Sequence, residues 1–327
     1  MENQTKLRIF YLYQHLIQSS DAEHPISTTD LIKYMKEEHG IDVNRTTITD
    51  DFLIMDKAGI HCEVIKSRQN LYYYDDRLFD VAELKSLIDA VASSRFITEK
   101  RSKGLIRKLT KLTSEYNAEN LKRHVMVEGR VKSENKNTFI IIDSINEAID
   151  KGYKIRFQYT DYSVHKRKVL KDGGIYYTVS PYDLVWNGDY YYMTGYCDNR
   201  EHTRTFRIDR IYREVEKLVD VPAVPKPKDF DAAAYSREVF RMFDSDETVP
   251  VELSCDAFLM KYVIDQFGTG VNTEAIDENH FIAHVTVCPS PTFYRWVFGW
   301  GGKMKITGPD HIKSEYKKLL QEALKNA

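Results

Sequence analysis

Three helix-breaking residues, Pro25, Gly40 and Gly59, limit what the start of this chain can fold into. Proline interrupts a helix and glycine commonly ends one, so no continuous helix can run through this segment. Between the breakers, apolar residues recur with the spacing of amphipathic helices. We therefore predict three short helices, over Thr5–Ser19, Thr28–His39 and Arg45–Ala58, and we expect Ser27 and Asn44 to act as N-caps.

A hairpin is predicted after the third helix, because two β-forming runs, Ile60–Ile65 and Leu71–Tyr74, flank a polar turn. Three short helices and a hairpin are typical of a winged helix-turn-helix, which we predict for residues 1–76. A helix of this size fits the major groove, and its N-terminal residues reach base edges. The candidate DNA-binding residues are Arg45, Thr46, Thr47, Thr49 and Asp50 of the third helix, and Lys66 and Arg68 of the hairpin turn.

The chemistry of these side chains suits DNA unequally. Arg45 can make a bidentate contact to guanine or clamp a phosphate, and threonines can bond phosphates or touch a thymine methyl group. Asp50 can accept a hydrogen bond from cytosine N4, but it also repels the DNA backbone. Asp51 lies close to the buried face, and we interpret it as structural. Three-helix units with a wing also mediate protein contacts, so that alternative stays open.

The predicted DNA-binding helix and the most basic part of the chain lie in different segments. The net charge is −2, which is not typical of a simple nucleic-acid binder. Residues 1–60 contain six Lys/Arg and ten Asp/Glu, whereas residues 95–136 contain twelve and five. If DNA is bound, we expect much of the attraction to phosphates to come from the later segment or from the hairpin turn.

Residues 77–136 are predicted to form a helical connector that serves as a dimerisation arm. Asp80-Val81-Ala82-Glu83 resembles a capping box, and a second helix is predicted over Lys103–Glu115. From Asn137 the pattern changes to short strands, so we predict a small, twisted β domain of about five strands over residues 137–220. One short helix is predicted over Ile145–Lys151, after a strand-sized apolar run over Thr138–Ile142. Turn signals lie at Lys171–Gly174 and Asn187–Asp189. The strand candidates are Ile155–Tyr159, Tyr176–Val179, Tyr190–Tyr196 and Arg204–Ile208.

A proline-rich hinge over residues 221–228 leads into an α/β unit that extends to residue 327. Its predicted strands are Val249–Cys255 and Phe281–Val287, and its predicted helices are Ala257–Phe267 and Ile312–Lys325. The fold class is therefore α+β multidomain. The four cysteines form no CxxC pair, which argues against a zinc site or disulfides and favours reduced thiols in a cytoplasm. We also expect no signal peptide and no membrane span.

Two strings in the β domain carry a resemblance to a known family. Val179–Tyr196 (VSPYDLVWNGDYYYMTGY) and Arg204–Ile211 (RTFRIDRI) resemble the WYL-domain transcription regulators, and Phe293–Pro309 is similar to their C-terminal WCX extension. In the third helix, Thr47–Phe52 resembles DeoR-type regulators. The chain departs from the pattern where Tyr191-Tyr192-Met193 replaces Trp-Tyr-Leu, and where Asp50 stands in place of the arginine that many DeoR-type helices carry.

The resemblance implies an Sm-like small β-barrel for the WYL domain and a basic pocket for nucleotides, cyclic nucleotides or single-stranded nucleic acid. Arginine suits bidentate phosphate binding and tyrosine can stack on a base, although the 22 tyrosines are also explained by β-sheet propensity. The candidate ligand-binding residues are Tyr182, Tyr192, Arg204, Arg207 and Arg210.

These candidates cannot all share one pocket on a regular strand. Strand alternation places Arg204 on the face opposite Arg207, unless a turn or bulge intervenes. Arg210 can equally form a structural ion pair with its neighbour Asp209. Tyr191 is interpreted as a core residue rather than a ligand contact.

No catalytic motif is present, so we expect no enzymatic activity, no metal and no cofactor. The leading hypothesis is a ligand-responsive regulator that binds a double-stranded DNA operator as a homodimer. The alternative is an accessory protein whose WYL domain binds single-stranded RNA or DNA and whose helix-turn-helix contacts proteins. A nuclease would require a carboxylate cluster, and the sequence shows none.

Overall fold

The computed structural model describes residues 2–123, 132–228, 230 and 248–326, with the backbone alone for residues 2–6. Two compact units divide the chain, Met1–Ser133 and Glu134–Ala327. Residues 124–131 of the basic segment and residues 231–247 of the predicted C-terminal unit lie outside the described residues. Within the described part of the chain, no helix has both the length and the apolar character needed to span a membrane.

The first unit begins with three helices and a small antiparallel sheet of order β1-β3-β2. The three predicted helices are confirmed: the Ser27 side chain accepts a hydrogen bond from the Asp30 amide, and the Asn44 side chain accepts one from the Thr47 amide. The elements are α1 (Glu2–Ser19), β1 (Ile26–Ser27), α2 (Thr28–His39), α3 (Arg45–Lys57), β2 (Glu63–Ile65) and β3 (Leu71–Tyr73).

One apolar core holds α1, α2, α3 and β3 together. Phe52 of α3 stacks on Tyr72 of β3 with a ring-centroid distance of 3.9 Å, which fixes the hairpin against the third helix. The side chains of this core are all buried, and they are Leu12, Leu16, Leu31, Met35, Ile48, Phe52, Met55 and Tyr72.

A buried ion pair joins α1 to α3. The Asp51 carboxylate accepts hydrogen bonds from Arg8 Nε at 2.5 Å and from Arg8 Nη2 at 2.6 Å. The Asp51 side chain is 1% exposed and that of Arg8 is 14% exposed. Asp51 is therefore structural, as its position beside the apolar face of α3 predicts.

The connector differs from the prediction after its first helix. The capping box of Asp80 and Glu83 is confirmed at the start of α4 (Val81–Ser93). The predicted second helix exists, but its predicted bounds, Lys103–Glu115, are wrong: α5 (Glu99–Leu109) begins earlier, because the Thr98 side chain caps it, and a short 3₁₀ turn ends it. A separate helix, α6 (Glu115–Arg123), then starts where the Ser114 hydroxyl accepts a hydrogen bond from the Asn117 amide.

The second unit starts with a helix that the sequence analysis made too short. The apolar run Thr138–Ile142, interpreted as strand-sized, forms the first turns of α7 (Thr138–Lys151). It is helical because Ile141, Ile145 and Ala148 lie on one face and are all buried against the sheet that follows. The run therefore belongs to a helix whose apolar residues recur every three to four positions.

Five strands form an antiparallel sheet of order β10-β4-β7-β8-β9. Its inner face packs on α7, and within the described residues no ladder joins the edge strands β9 and β10. Gly195 of β8 faces a bulge in β7, where a Cβ atom would lie 2.4 Å from the Ser180 carbonyl oxygen. The strands are β4 (Tyr153–Gln158), β7 (Tyr176–Asn187), β8 (Tyr190–Cys197), β9 (His202–Arg207) and β10 (Glu216–Pro222), with a side hairpin of β5 (Thr160–Tyr162) and β6 (Lys168–Leu170).

The C-terminal part forms a four-stranded antiparallel sheet of order β12-β13-β11-β14. Strands and helices follow one another as βαββαβ, the split βαβ arrangement of ferredoxin-like folds. The predicted strands Val249–Cys255 and Phe281–Val287 and the predicted helices Ala257–Phe267 and Ile312–Lys325 are confirmed, and three short elements were missed. The elements are β11 (Val249–Asp256), α8 (Met260–Phe267), β12 (Asn272–Ala275), β13 (His280–Val287), α9 (Pro291–Phe298), β14 (Met304–Gly308) and α10 (Asp310–Lys325).

We predict that Asp51→Asn destabilises the first unit, because Arg8 would keep a largely buried charge without its counter-ion. Arg8 remains partly exposed, so we expect a loss of about 2 kcal/mol rather than the roughly 3–5 kcal/mol of fully buried pairs. Urea unfolding followed by circular dichroism measures this. The control is Glu37→Gln, which breaks the exposed pair of Lys33 and Glu37 and should change stability by less than about 0.5 kcal/mol. Equal effects of the two variants would contradict a structural role for Asp51.

We predict that Gly195→Ala destabilises the five-stranded sheet by about 2 kcal/mol or more, because the added methyl group has to displace the backbone of β7. The matched control is Gly270→Ala, since nothing lies within 4 Å of the corresponding Cβ position. The midpoint of urea unfolding should fall only in the first variant. An unchanged midpoint for Gly195→Ala would show that β7 and β8 do not approach each other this closely.

Candidate nucleic-acid and ligand sites

The N-terminal half of α3 presents polar side chains to solvent. Arg45, Thr46, Thr49 and Asp50 are exposed, whereas Ile48 between them is buried. Thr47 is only half-buried, and its hydroxyl donates a hydrogen bond to the Asn44 side chain at 3.0 Å. Of the predicted DNA-binding residues on this helix, Thr47 is thus engaged in the cap and the other four are accessible.

Further along α3 the exposed surface becomes apolar. Leu53 is 57% exposed and Ile54 is 50% exposed. The turn between β2 and β3 carries the two other candidates, Lys66 and Arg68, and both are exposed. The first unit therefore offers an accessible polar helix start, an apolar patch beside it and a basic turn.

A basic face runs along α5 and the 3₁₀ turn after it. The only acidic residue of α5, Glu99, pairs with Lys103 at 2.6 Å and leaves the other cations of this face uncompensated by acidic residues of the same helix. Ser102, on the opposite side, is buried. The exposed cations of this face, which we call the α5 basic face, are Lys100, Lys103, Arg107, Lys108 and Lys111.

On the five-stranded sheet, Tyr192 of β8 lies directly opposite Arg207 of β9. Opposite residues of an antiparallel pair share a face, so both point away from α7. Tyr190, two residues before Tyr192, has the same orientation, and the Arg207 guanidinium carbon lies 3.3 Å from the centroid of its ring. The arginine therefore rests on an aromatic surface, a geometry that favours a cation.

Asp209 holds the Arg207 side chain in this position. Its carboxylate accepts hydrogen bonds from Arg207 Nε at 3.1 Å and from Nη2 at 2.8 Å, and the arginine side chain remains 21% exposed. Burial alone would lower the pKa of Arg207, but the hydrogen bonds and charge of Asp209 outweigh it and raise that pKa. The guanidinium is charged at any physiological pH, and a carboxylate already occupies one of its edges.

Tyr192 and Tyr159 are the other two tyrosines next to Arg207. Tyr192 is 6% exposed, and burial raises the pKa of its hydroxyl. The Tyr159 hydroxyl accepts a hydrogen bond from the Arg207 amide at 2.9 Å, and burial raises its pKa strongly as well. Both phenols therefore stay neutral and can act as hydrogen-bond donors. We call Arg207, Asp209, Tyr190 and Tyr192 the Arg207 cluster.

Tyr182 lies at the bulge in β7 and contacts the segment that follows β10. Its hydroxyl is 3.4 Å from the Pro225 carbonyl oxygen, and its ring centroid lies 5.7 Å from that of Phe230. Asp183 beside it pairs with Lys226 at 2.6 Å. The hinge segment thus covers Tyr182, which is 5% exposed.

Of the two remaining arginine candidates, Arg204 lies away from the Arg207 cluster, whereas Arg210 lies close enough for its positive charge to oppose the rise that burial causes in the pKa of Tyr192. Arg204 pairs in register with Gly195 and lies on the face opposite Arg207, as strand alternation predicts. Arg210 lies in the 3₁₀ turn after β9, where its carbonyl oxygen accepts a hydrogen bond from the Thr160 hydroxyl at 2.8 Å. Asp209 forms its ion pair with Arg207, not with Arg210.

Two members of the Arg207 cluster were missed as site residues in the sequence. Tyr190 could have been found, because it is two positions from Tyr192 and must share its face on a regular strand. The partner of Asp209 could not have been found, because strand β9 ends at Arg207 and the turn decides which arginine the carboxylate meets. Within the described ranges, no group of three or more His, Cys, Asp or Glu side chains could hold a metal ion.

Comparisons with known proteins agree with the two strings noted in the sequence. The WYL domain model matches residues 141–216, and the WCX domain model matches residues 247–324. A search of curated proteins gave no match. Tyr192, Arg207 and Asp209 all lie inside the WYL match, and the WCX match begins just before β11.

Two solved structures are similar to the chain at low identity. The proteasome accessory factor B/C (PafBC) of Arthrobacter aurescens is 17% identical, with 96% of this chain and 46% of that chain covered and a TM-score of 0.28. The chain thus spans less than half of the PafBC chain. A CRISPR Cas-related protein is 14% identical, with 95% of this chain and 97% of that chain covered and a TM-score of 0.38. From the two domain matches, the chain contains a WYL domain and, after it, a WCX domain.

Proposed function

We propose that this chain is a transcription regulator that binds double-stranded DNA through α3 and senses a nucleotide or a single-stranded nucleic acid through its WYL domain. The observation that carries the proposal is that α3 is held firmly in place while its first residues are exposed. The helix is anchored by the core and by the pair of Arg8 and Asp51, and it leaves Arg45, Thr46 and Thr49 accessible at its start. A helix that reads base edges in the major groove needs this arrangement.

In this proposal the first unit contains a winged helix-turn-helix. Helices α2 and α3 provide the two helices of the motif, the β2–β3 hairpin is the wing, and Lys66 and Arg68 contact phosphates or the minor groove. The α5 basic face supplies further attraction to phosphates, because the helices of the motif carry more acidic than basic residues. The segment 77–136 acts as the connector and dimerisation arm, and Leu78 and Leu87, exposed at 84% and 39%, are available to a second copy.

The proposed effector site is the Arg207 cluster. Arginine on a tyrosine face, with a second tyrosine beside it, suits a phosphate next to a base. Residues 137–220 form the WYL domain in this proposal, and an Sm-like barrel is favoured by the helix before the five strands and by their order. Residues 221–327 form the hinge and the WCX domain. Tyr182 of the sheet contacts the hinge segment, so a conformational change in the sheet can be transmitted to that segment.

Regulation follows if the effector binds the DNA-competent and DNA-incompetent forms of a homodimer with different affinities. The effector then shifts the population between the two forms. The chain acts by binding and has no enzymatic role in this proposal.

A second candidate function is favoured by the apolar patch of α3. Leu53 and Ile54 are about half exposed, and helices α2 and α3 together carry more acidic than basic residues. A protein partner would cover such a patch, so that the first unit mediates protein contacts and the WYL domain alone binds single strands. Binding of double-stranded DNA distinguishes the two functions.

We predict that Arg45→Ala combined with Thr46→Ala abolishes selection of double-stranded fragments in genomic footprinting with the purified full-length protein. Loss of the guanidinium removes a bidentate base or phosphate contact, each worth about 1–3 kcal/mol. The control variant is Arg167→Ala, an exposed arginine of the WYL domain outside the proposed sites. Undiminished binding by the double variant, or absence of any fragment selected by the original chain, would favour the protein-contact function.

We predict that Asp209→Asn strengthens binding of nucleoside monophosphates at the Arg207 cluster, because the carboxylate competes with phosphate for the guanidinium. A charged hydrogen bond contributes about 1.5–3 kcal/mol, so we expect roughly tenfold tighter binding, measured by calorimetry. Arg207→Ala should eliminate this binding. The matched control is Asp172→Asn, which removes a carboxylate partner of Arg200 elsewhere on the domain. If Asp209→Asn binds more weakly, the carboxylate is a positioning group rather than a competitor.

A further inference from the structure

A second concave site lies on the WYL sheet, at the edge opposite to the Arg207 cluster. It is a cavity of about 530 Å³ between strands β4, β7 and β10 and the segment before β10. That volume falls within the range of sites for small organic ligands. The side chains that give it its character are Tyr176, Tyr212, Arg156, Arg213, Asn137 and Gln158.

Two exposed tyrosines form its aromatic surface. Tyr176 is 50% exposed and Tyr212 is 36% exposed, so both rings keep surface that a ligand can cover. An arginine lies over each ring: the guanidinium carbon of Arg156 is 5.1 Å from the centroid of Tyr176, and that of Arg213 is 5.0 Å from the centroid of Tyr212. Both contacts are cation–π pairs, so each arginine is held close to an aromatic ring.

The cavity is held in shape by bonds within the domain. The Tyr212 amide donates to the Gln158 carbonyl oxygen at 2.9 Å, and the Asn137 side chain donates to the Arg213 carbonyl oxygen at 3.1 Å. Arg213 has a φ of 59°, a left-handed conformation that is costly for a residue with a side chain. Because these bonds fix the turn at Arg213, the ligand site exists before a ligand binds.

The charges of the lining residues cancel. Arg156 forms a bidentate pair with Glu216, with distances of 2.8 to 3.0 Å, and Glu214 lines the same cavity as Arg213. Two cations and two anions give no net attraction to phosphate. At the Arg207 cluster, by contrast, Arg210 adds a second cation close to Arg207 and Asp209, so the cavity is the site suited to a ligand without charge.

The polar side chains of the cavity are suited to a ligand whose edge carries N–H groups. The Gln158 amide nitrogen donates to the Gly174 carbonyl oxygen at 2.6 Å, and the Asn137 amide nitrogen donates to Arg213, which fixes both side chains. The amide oxygens of these two side chains can only accept hydrogen bonds, and Glu214 adds a carboxylate to the lining of the same cavity. Aromatic rings next to fixed acceptors are what a nucleobase with exocyclic amino or ring N–H groups requires.

We infer that this cavity binds a neutral aromatic heterocycle of the nucleobase type, which stacks on Tyr176 or Tyr212 and donates hydrogen bonds to the acceptors. The site is separate from the Arg207 cluster and does not depend on the function proposed for that cluster. A free nucleoside and a base of a single strand offer the same chemistry. Both sites lie on the outer face of one sheet, because Arg156 is opposite Thr178 and points away from α7.

The test is calorimetry of the full-length protein with adenosine, guanosine, cytidine and uridine, which carry no phosphate, and with single-stranded hexamers of deoxyadenylate and thymidylate. At least one nucleoside or hexamer should bind, and its affinity should fall about fivefold or more in Tyr176→Leu or Tyr212→Leu, the loss expected for a base–aromatic stack. The matched control is Tyr162→Leu, which removes a tyrosine of β5 that is 57% exposed and lies outside the cavity.

The same measurements distinguish a free nucleoside from a base of a single strand, and the cavity from the Arg207 cluster. A loss confined to the hexamers assigns the cavity to a base of a single strand, and a loss with nucleosides assigns it to a free ligand. Nucleoside binding should be insensitive to Arg207→Ala, even if that variant loses its response to nucleoside monophosphates. The inference is overturned if neither nucleosides nor hexamers bind at about 1 mM. It is also overturned if they bind and both tyrosine variants behave like Tyr162→Leu.

Discussion

Side-chain alternation along the five-stranded sheet is the constraint on which the WYL domain depends. Apolar residues of β4, β7 and β8 pack on α7, so every second residue has to point to the other face. Tyr192, Arg207 and Arg156 are placed on that outer face by the same register that buries Met193, Phe206 and Phe157. A slip of one residue would exchange the two sets and bury the charges in the apolar core.

Arginines on this face are used in two different ways. In the Arg207 cluster one carboxylate orients a single guanidinium on an aromatic ring, and the site keeps a cation that an anionic group can approach. In the cavity at the opposite edge, two carboxylates balance two arginines, so the rings and acceptors dominate. The same residue types therefore provide a charged and an uncharged surface, because Arg207 and Arg210 share the single carboxylate of Asp209 whereas each arginine of the cavity is matched by a glutamate.

In the first unit, the rigid accessible helix and the main cluster of cations are on different elements. Helix α3 is fixed by the Arg8–Asp51 pair and by stacking of Phe52 on Tyr72, and this leaves its polar start rigid and accessible. Helices α2 and α3 carry more acidic than basic residues, whereas cations are concentrated on α5. A surface built in this way can discriminate among partners by contacts of α3, while the α5 basic face contributes affinity without sequence preference.

The sequence by itself determined the local elements and the order of the domains. Breakers and caps such as Ser27, Asn44 and Gly40 act on their own neighbours, so the three first helices followed from adjacent residues. The opposite orientation of Arg204 and Arg207 also followed, because alternation is a property of any strand. The end of the helix at Leu109 and the helical state of Thr138–Ile142 did not, since both depend on what the apolar residues pack against.

Only the tertiary structure decided which side chains meet. Asp209 pairs with Arg207 because the strand ends and turns between them, and Arg8 reaches Asp51 across 43 positions of sequence. Tyr176 and Tyr212 come to one cavity through pairing of β4 with both β7 and β10. Such contacts arise from strand order and turn geometry, which propensity and spacing within a short segment do not encode.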